Sequence, residues 1–420
     1  MTGHRLAAVA ALALTLALPR VMPADAQDLI GHGGPVGALA VAGERVLSGA
    51  FDTRAILWDT RTGGAKHVLR FHEGNVTAVA HLPGGRVATG GQDGRVAIWE
   101  AEGLRPVFAT DHGVAQVAAL SLTPDGGHLA AGFWDGAIER LDLNDYTTYR
   151  WAAHGDRVMG LAHLPDGRLA SAGSDLRLSF WDSRGTLQGR TDLTDLPNGL
   201  AVTGGRIAIA FAEGALRLYG ADGTLLPERF LTDRPLVAVA ADAGLVAAAA
   251  INGTVWLLEA EKLEIRFEVT PGQGPVWALS LGEDALFTGG ADGTIRRFAL
   301  ADGARQGRVS GPTAEAFDDG SRGAEVWRAC AVCHSLDPDD RGRAGPTLYG
   351  VFGRRIGTAE GFDYSDALRG MDIIWTPETV AELFEHGPEA YTPGSRMPEQ
   401  RLPDPEDRAA LVRFLDRMAH

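Results

Sequence analysis

The chain is poor in cysteine and almost devoid of lysine. Its two cysteines, Cys330 and Cys333, fall in one stretch, RACAVCHSLD. That excludes a disulfide framework, and a zinc site would need a second ligand pair that no other cysteine supplies. Lysine occurs only as Lys66 and Lys262, and the formal net charge is −15. Acidic residues are in excess in both halves, 33 against 25 basic in 27–310 and 20 against 12 in 311–420. No basic stripe exists, which argues against nucleic acid as a partner. The apolar run near the N-terminus, Leu6 to Leu18, is too short to span a bilayer.

That run follows a short basic start and precedes Ala24-Asp25-Ala26, which places small residues at −3 and −1 of a cleavage after Ala26. The pattern is that of a secretory signal peptide over 1–26. It predicts an exported, periplasmic protein, soluble after cleavage, with no lipid anchor because no cysteine follows the run. At 420 residues the chain suggests two or three domains. Its 55 glycines point to many turns and short strands.

A turn signature recurs as FDTRAILWD, QDGRVAIWE, WDGAIERLD, SDLRLSFWD, AEGALRLYG, INGTVWLLE and ADGTIRRFA. Its second residue falls at Asp52, Asp93, Asp135, Asp175, Glu213, Asn252 and Asp292, at spacings of 38 to 42. Each turn follows an apolar strand and precedes an alternating one, and a further apolar segment opens the unit. Three strands are visible per unit, with room for a fourth and no convincing helix. Seven such units predict an all-β, seven-bladed propeller over 27–310.

The units resemble the WD-repeat family. In that family a histidine, a serine or threonine, the turn aspartate and a tryptophan form a network inside each blade. The set is complete here as His32, Ser48, Asp52, Trp58; as His72, Thr89, Asp93, Trp99; and as His154, Ser171, Asp175, Trp181. Blade three keeps His112 and Asp135 but has Leu141 for the tryptophan. Blade seven keeps Thr288 and Asp292 with Phe298, and blades five and six keep little beyond the turn. Three copies tied to the repeat period read as satisfied structural networks rather than catalytic sets. His81 and His163 occupy matching positions and belong to the repeat too. Either Asp28–Ile30 or Arg305–Val309 could supply the strand that closes the ring, which leaves one of them surplus.

After Gly311-Pro312 the period stops and helical patterning begins, so a small all-α domain is expected over 311–420. Cys330, Cys333 and His334 can share one helical face. CAVCH fits the C-x-x-C-H pattern of haem attachment, in which two thiols add to the haem vinyl groups and the histidine reaches the iron. From here to the C-terminus the chain resembles a class I cytochrome c of mitochondrial and photosynthetic-bacterial type. The stretch AGPTLYGVFGRRIG carries the resemblance after the motif, and TPGSRMP carries it at the distal loop. The resemblance implies one covalently attached haem c with His334 and Met397 as iron ligands. Met371, Met418 and His386 are the competing residues for the sixth position. It also implies that the Pro346 carbonyl accepts from the ligand histidine. Arg354, Tyr364 and Trp375 would partner the haem propionates, since burying carboxylates without partners is costly.

Two departures stand out: Phe384 replaces a tyrosine of the mitochondrial pattern, and the lysine collar of that family is gone. A few arginines remain near the motif, namely Arg341, Arg343, Arg355 and Arg396. Thr376-Pro377-Glu378 and Asp404-Pro405-Glu406-Asp407 read as helix starts. The last helix carries an apolar stripe of Leu411, Val412, Phe414, Leu415 and Met418.

The resulting expectation is an exported one-electron carrier whose propeller docks a redox protein, periplasmic or membrane-bound, with no small-molecule substrate evident. The alternative is a redox enzyme whose propeller carries an active site or second cofactor wired to the haem.

Overall fold

The computed structural model describes residues 28–307 and 317–419, except 114, 332, 339–344, 361, 363, 394, 396 and 398–400. The expected signal peptide 1–26, the domain boundary at 310/311 and Arg341, Arg343 and Arg396 lie outside the described residues.

Residues 28–307 form seven antiparallel sheets, each strand hydrogen-bonded to the next in sequence order. Blade one is Val36–Ala42, Arg45–Ala50, Arg54–Asp59 and Ala65–Arg70. The fourth strand, only inferred as room in the sequence, is present in every blade. First strands of successive blades pack on one another around the ring, and that of blade seven, Val276–Leu281, meets that of blade one. Second strands such as Leu245–Ala250, LVAAAA, are buried along their whole length. This is the burial expected where both faces of a sheet are covered by neighbours.

Ring closure differs from the expectation of one surplus strand. Leu29–Ile30 pairs with Thr294 and Ile295, while Arg305–Gln306 pairs with Arg297 and Phe298. Both short strands share the outer edge of Thr294–Ala299, so blade seven has five strands. Arg305 bonds the buried Asp28 carboxylate and ties the two ends together. Burial pushes the Asp28 carboxyl up, against the opposing charge of Arg305.

The three complete polar sets form as networks. In blade two, His72 Nδ1 lies 3.0 Å from Asp93, Nε2 lies 2.8 Å from Thr89 Oγ1, and Trp99 Nε1 donates to the same hydroxyl at 3.1 Å. Blades one and four repeat this with Ser48 and Ser171. Blade three breaks it. His112 is exposed beside Glu73 at 3.3 Å, and Asp135 pairs with Arg150. Ala131 stands where the hydroxyl would be, so nothing anchors the imidazole. Blade seven substitutes a side chain the sequence reading did not foresee. Gln273 accepts from Thr288 Oγ1 at 2.6 Å and donates to the Thr294 carbonyl.

Residues 317–419 form the helices α1 (Arg322–Cys330), α2 (Asp366–Gly370), α3 (Pro377–His386), α4 (Pro388–Tyr391) and α5 (Pro405–Met418). Thr376 and Asp404 cap α3 and α5 as their sequences predict. α1 packs on α5, with the Trp327 and Phe414 rings 6.0 Å apart. A Cβ at Gly323 would lie 2.3 Å from the Ala410 carbonyl oxygen, so glycine sets how closely the helices approach. Of the apolar stripe, Leu411, Phe414 and Leu415 are buried, while Val412 and Met418 pack at its margin.

Candidate functional site

α1 delivers the cysteine motif. Ser321 caps the helix by accepting from the Ala324 amide, and Cys330 sits in its final turn, buried. The His334 amide donates to the Cys330 carbonyl at 2.9 Å, which carries the turn through to the histidine. His334 Nδ1 donates to the Pro346 carbonyl at 2.8 Å. That bond fixes the tautomer, directs the lone pair to Nε2 and makes it a better donor to a metal.

The backbone reaches the imidazole because residue 345 is glycine. A Cβ there would lie 2.5 Å from His334 Cε1 and 2.9 Å from the Cys333 carbonyl. The Gly345 amide donates to that carbonyl at 2.8 Å. Gly345 stood in the stretch resembling the family, but only the close approach shows why it must be small.

One cavity is lined by Cys330, Cys333, His334, Pro346, Arg354, Tyr364, Trp375 and Met397, all the residues singled out from the sequence. It holds about 1200 Å³ of empty space when the open solvent at its mouth is included. Its walls are apolar, with Leu348, Val351, Leu383, Leu411 and Leu415 among them. The competing residues for the sixth position lie elsewhere. Met418 packs against the helix core, Met371 is off the cavity wall, and His386 is exposed and stacks on Tyr391.

The Arg354 guanidinium donates to the Thr347 carbonyl at 2.8 Å and the Tyr349 carbonyl at 3.0 Å. Burial pushes its pKa down, with Tyr364 opposing, and burial likewise pushes the Tyr364 phenol up. Trp375 is held by backbone bonds with Gly353 and Arg354. A half-buried cation and a phenol on an apolar wall suit the carboxylates of a porphyrin.

Cys330 is not poised as a reactive thiolate. Burial, and then Cys333 beside it, push the Cys330 thiol up to about 12, opposite to the shift of a redox or nucleophilic cysteine. Two thiols, an imidazole with its tautomer set, a thioether and apolar walls fit a covalently attached haem. Among the described residues, no group of three or more His, Cys, Asp or Glu side chains is placed to hold a metal ion.

The cavity also takes in Arg54, Val68 and Arg70 from blade one. The sequence reading confined the haem contacts to 311–420 and missed these three. Nothing in the repeat pattern marks them as facing another domain.

The fold and site define a WD-type propeller joined to a c-type cytochrome. Residues 320–419 match the Cytochrome c family, and 63–100 and 146–182 match the WD domain, G-beta repeat. Cytochrome c2 of Blastochloris viridis is 38% identical over 100 residues, 24% of this chain and 78% of that protein. Cytochrome c of Stellaria longipes is 39% identical over 98 residues, 23% of this chain and 90% of that one. The designed Ika8 protein superposes with a TM-score of 0.53 over 66% of this chain and 99% of its own, at 19% identity, a likeness of fold alone. Through its C-terminal hundred residues the chain belongs to the cytochrome c family, and with it carries one covalently attached haem c and haem-based electron transfer.

Proposed function

We propose that this protein is an exported one-electron carrier in which His334 and Met397 bind the haem iron and the propeller docks a redox protein. The observation that carries the reading is an apolar cavity lined by both motif cysteines, His334 and Met397. Haem held by His334 and Met397 would supply a reversible one-electron couple, at a potential that histidine/methionine ligation raises. The chain's part is to hold His334 in one tautomer through Pro346, to exclude water with apolar walls and to offer Arg354, Tyr364 and Trp375 to the propionates.

Docking is supported by the propeller's histidines. The three in complete networks are committed to hydroxyls and turn aspartates, and His81 and His163 bond neighbouring first strands through Ala40 and Ser121. A rigid tethered scaffold raises the effective concentration of the carrier at its partner.

Export rests on the pattern of 1–26, and the mature protein from a periplasmic fraction should begin at Gln27. A mass that includes the leader would refute export. For docking, the full chain should reduce or oxidise its native partner much faster than residues 311–420 alone. Equal rates would refute that role.

A further inference from the structure

Three residues of the haem cavity come from the propeller. Arg54, Val68 and Arg70 belong to the two outer strands of blade one, where Arg54 stands directly opposite Arg70 and Ile56 opposite Val68. Val68 and Arg70 are two apart in one strand and so share a face. The contact continues at Gly31, whose carbonyl lies 3.4 Å from Cys333 Sγ. Gly31 follows the closing strand Leu29–Ile30 and leads into blade one. The thioether motif therefore sits against the junction of blades seven and one.

Like charges directly opposite in a sheet repel, and the repeat does not require this pair. An arginine two residues after the turn aspartate recurs as Arg54, Arg95 and Arg177. Arg95 lies 3.8 Å over the Phe71 ring and donates to the Thr110 carbonyl. Arg177 stands opposite Asp192, a complementary charge. Of the three, blade one alone places a second arginine across from the first. Burial and the Arg54 charge hold Arg70 down to about 10, still protonated at neutral pH. The nearby Asp52 carboxylate, bonded by His32 and by the Gly33 and Arg54 amides, stays ionised and offsets at most one of the two guanidinium charges.

We infer that blade one forms part of the haem-site wall, and that Arg54 and Arg70 together raise the reduction potential by setting two positive charges against the crevice. The inference rests on the haem reading above. Oxidation of the iron adds one positive charge. Fixed cations on the cavity wall would disfavour that state and favour the reduced one. The pair thus makes the propeller a tuning element of the cytochrome as well as its carrier, and places a covering surface beside Cys333.

The test uses the full-length holoprotein as wild type, Arg54→Gln, Arg70→Gln, the double variant, Arg70→Lys and, as control, Arg177→Gln. Covalently bound haem, the visible spectrum and the reduction potential are measured for each. The double variant should keep covalent haem and a low-spin spectrum, while its reduction equilibrium constant falls about tenfold, equivalent to about 59 mV for one electron. Each single glutamine variant should lose roughly threefold. Arg70→Lys and Arg177→Gln should stay near wild type. Unchanged potentials in the single and double glutamine variants would overturn the inference. A wild type without covalent haem would instead overturn the haem reading beneath it.

Discussion

At the scale of residues, the site depends on a few atoms whose roles differ in how they can be read. Cys330, Cys333 and His334 were legible from spacing alone, because the chemistry of attachment demands that order. Met397 was singled out from other methionines and His386 by the resemblance, and it lines the cavity. Replacing Met397 with alanine should leave haem covalently bound, open a coordination position, admit carbon monoxide and lower the potential. An unchanged spectrum in that variant would move the sixth ligand elsewhere. Gly345 was not legible, because a sequence does not show which backbone lies against an imidazole. Gly345→Val should push the chain off His334 and sharply reduce the yield of low-spin haem, measured as covalent haem per protein.

At the scale of elements, the seven repeats were legible because a period of 38 to 42 residues survives even where the polar network has decayed. The decayed blades were misread where a missing group removed a partner. Without a hydroxyl at Ala131, His112 leaves the sheet for Glu73, and in blade seven Gln273 takes over the histidine's task. The shared closing edge was also beyond the sequence, since either short strand satisfies the same pattern. In blade two, Trp99→Phe removes one buried hydrogen bond to Thr89 and should cost about 1–2 kcal/mol, read by denaturant unfolding. Gly323→Val forces a side chain onto Ala410 and should cost the helical domain about 1–3 kcal/mol or more.

The propeller should also weaken in acid. Burial pushes His72, His81 and His154 down and lowers His163 to about 4. The unfolded chain therefore binds more protons than the folded one below about pH 6.5, and stability falls as pH drops from there toward 4. Asp93 acts in the same direction. Burial would raise it, but the His72 hydrogen bond and charge outweigh burial and hold it low, so its contribution too is lost in acid. Thermal melting between pH 7 and 4 should show a falling midpoint, with a shallower slope in His163→Ala.

At the scale of the whole molecule, the two halves were legible separately and their junction was not. Each half carries its own periodicity, while the contact between them joins residues about three hundred positions apart, Gly31 and Cys333. Such a contact leaves no local pattern, and Arg54 and Arg70 look like ordinary strand residues until the cavity is seen. The loss of the lysine collar takes on a different meaning here. On the proposed docking role, the cytochrome would have less need of its own ring of cations, and two arginines of the propeller stand beside its crevice.

The most direct test of the electron-carrier reading is a set of absorption spectra of the full-length protein, oxidised, reduced, and reduced under carbon monoxide, with a metal analysis of the same sample. One low-spin haem per chain, indifferent to carbon monoxide and accompanied by no second chromophore or metal, is the predicted result. Rapid carbon monoxide binding, or a second cofactor in stoichiometric amount, would contradict it and favour the reading of a redox enzyme.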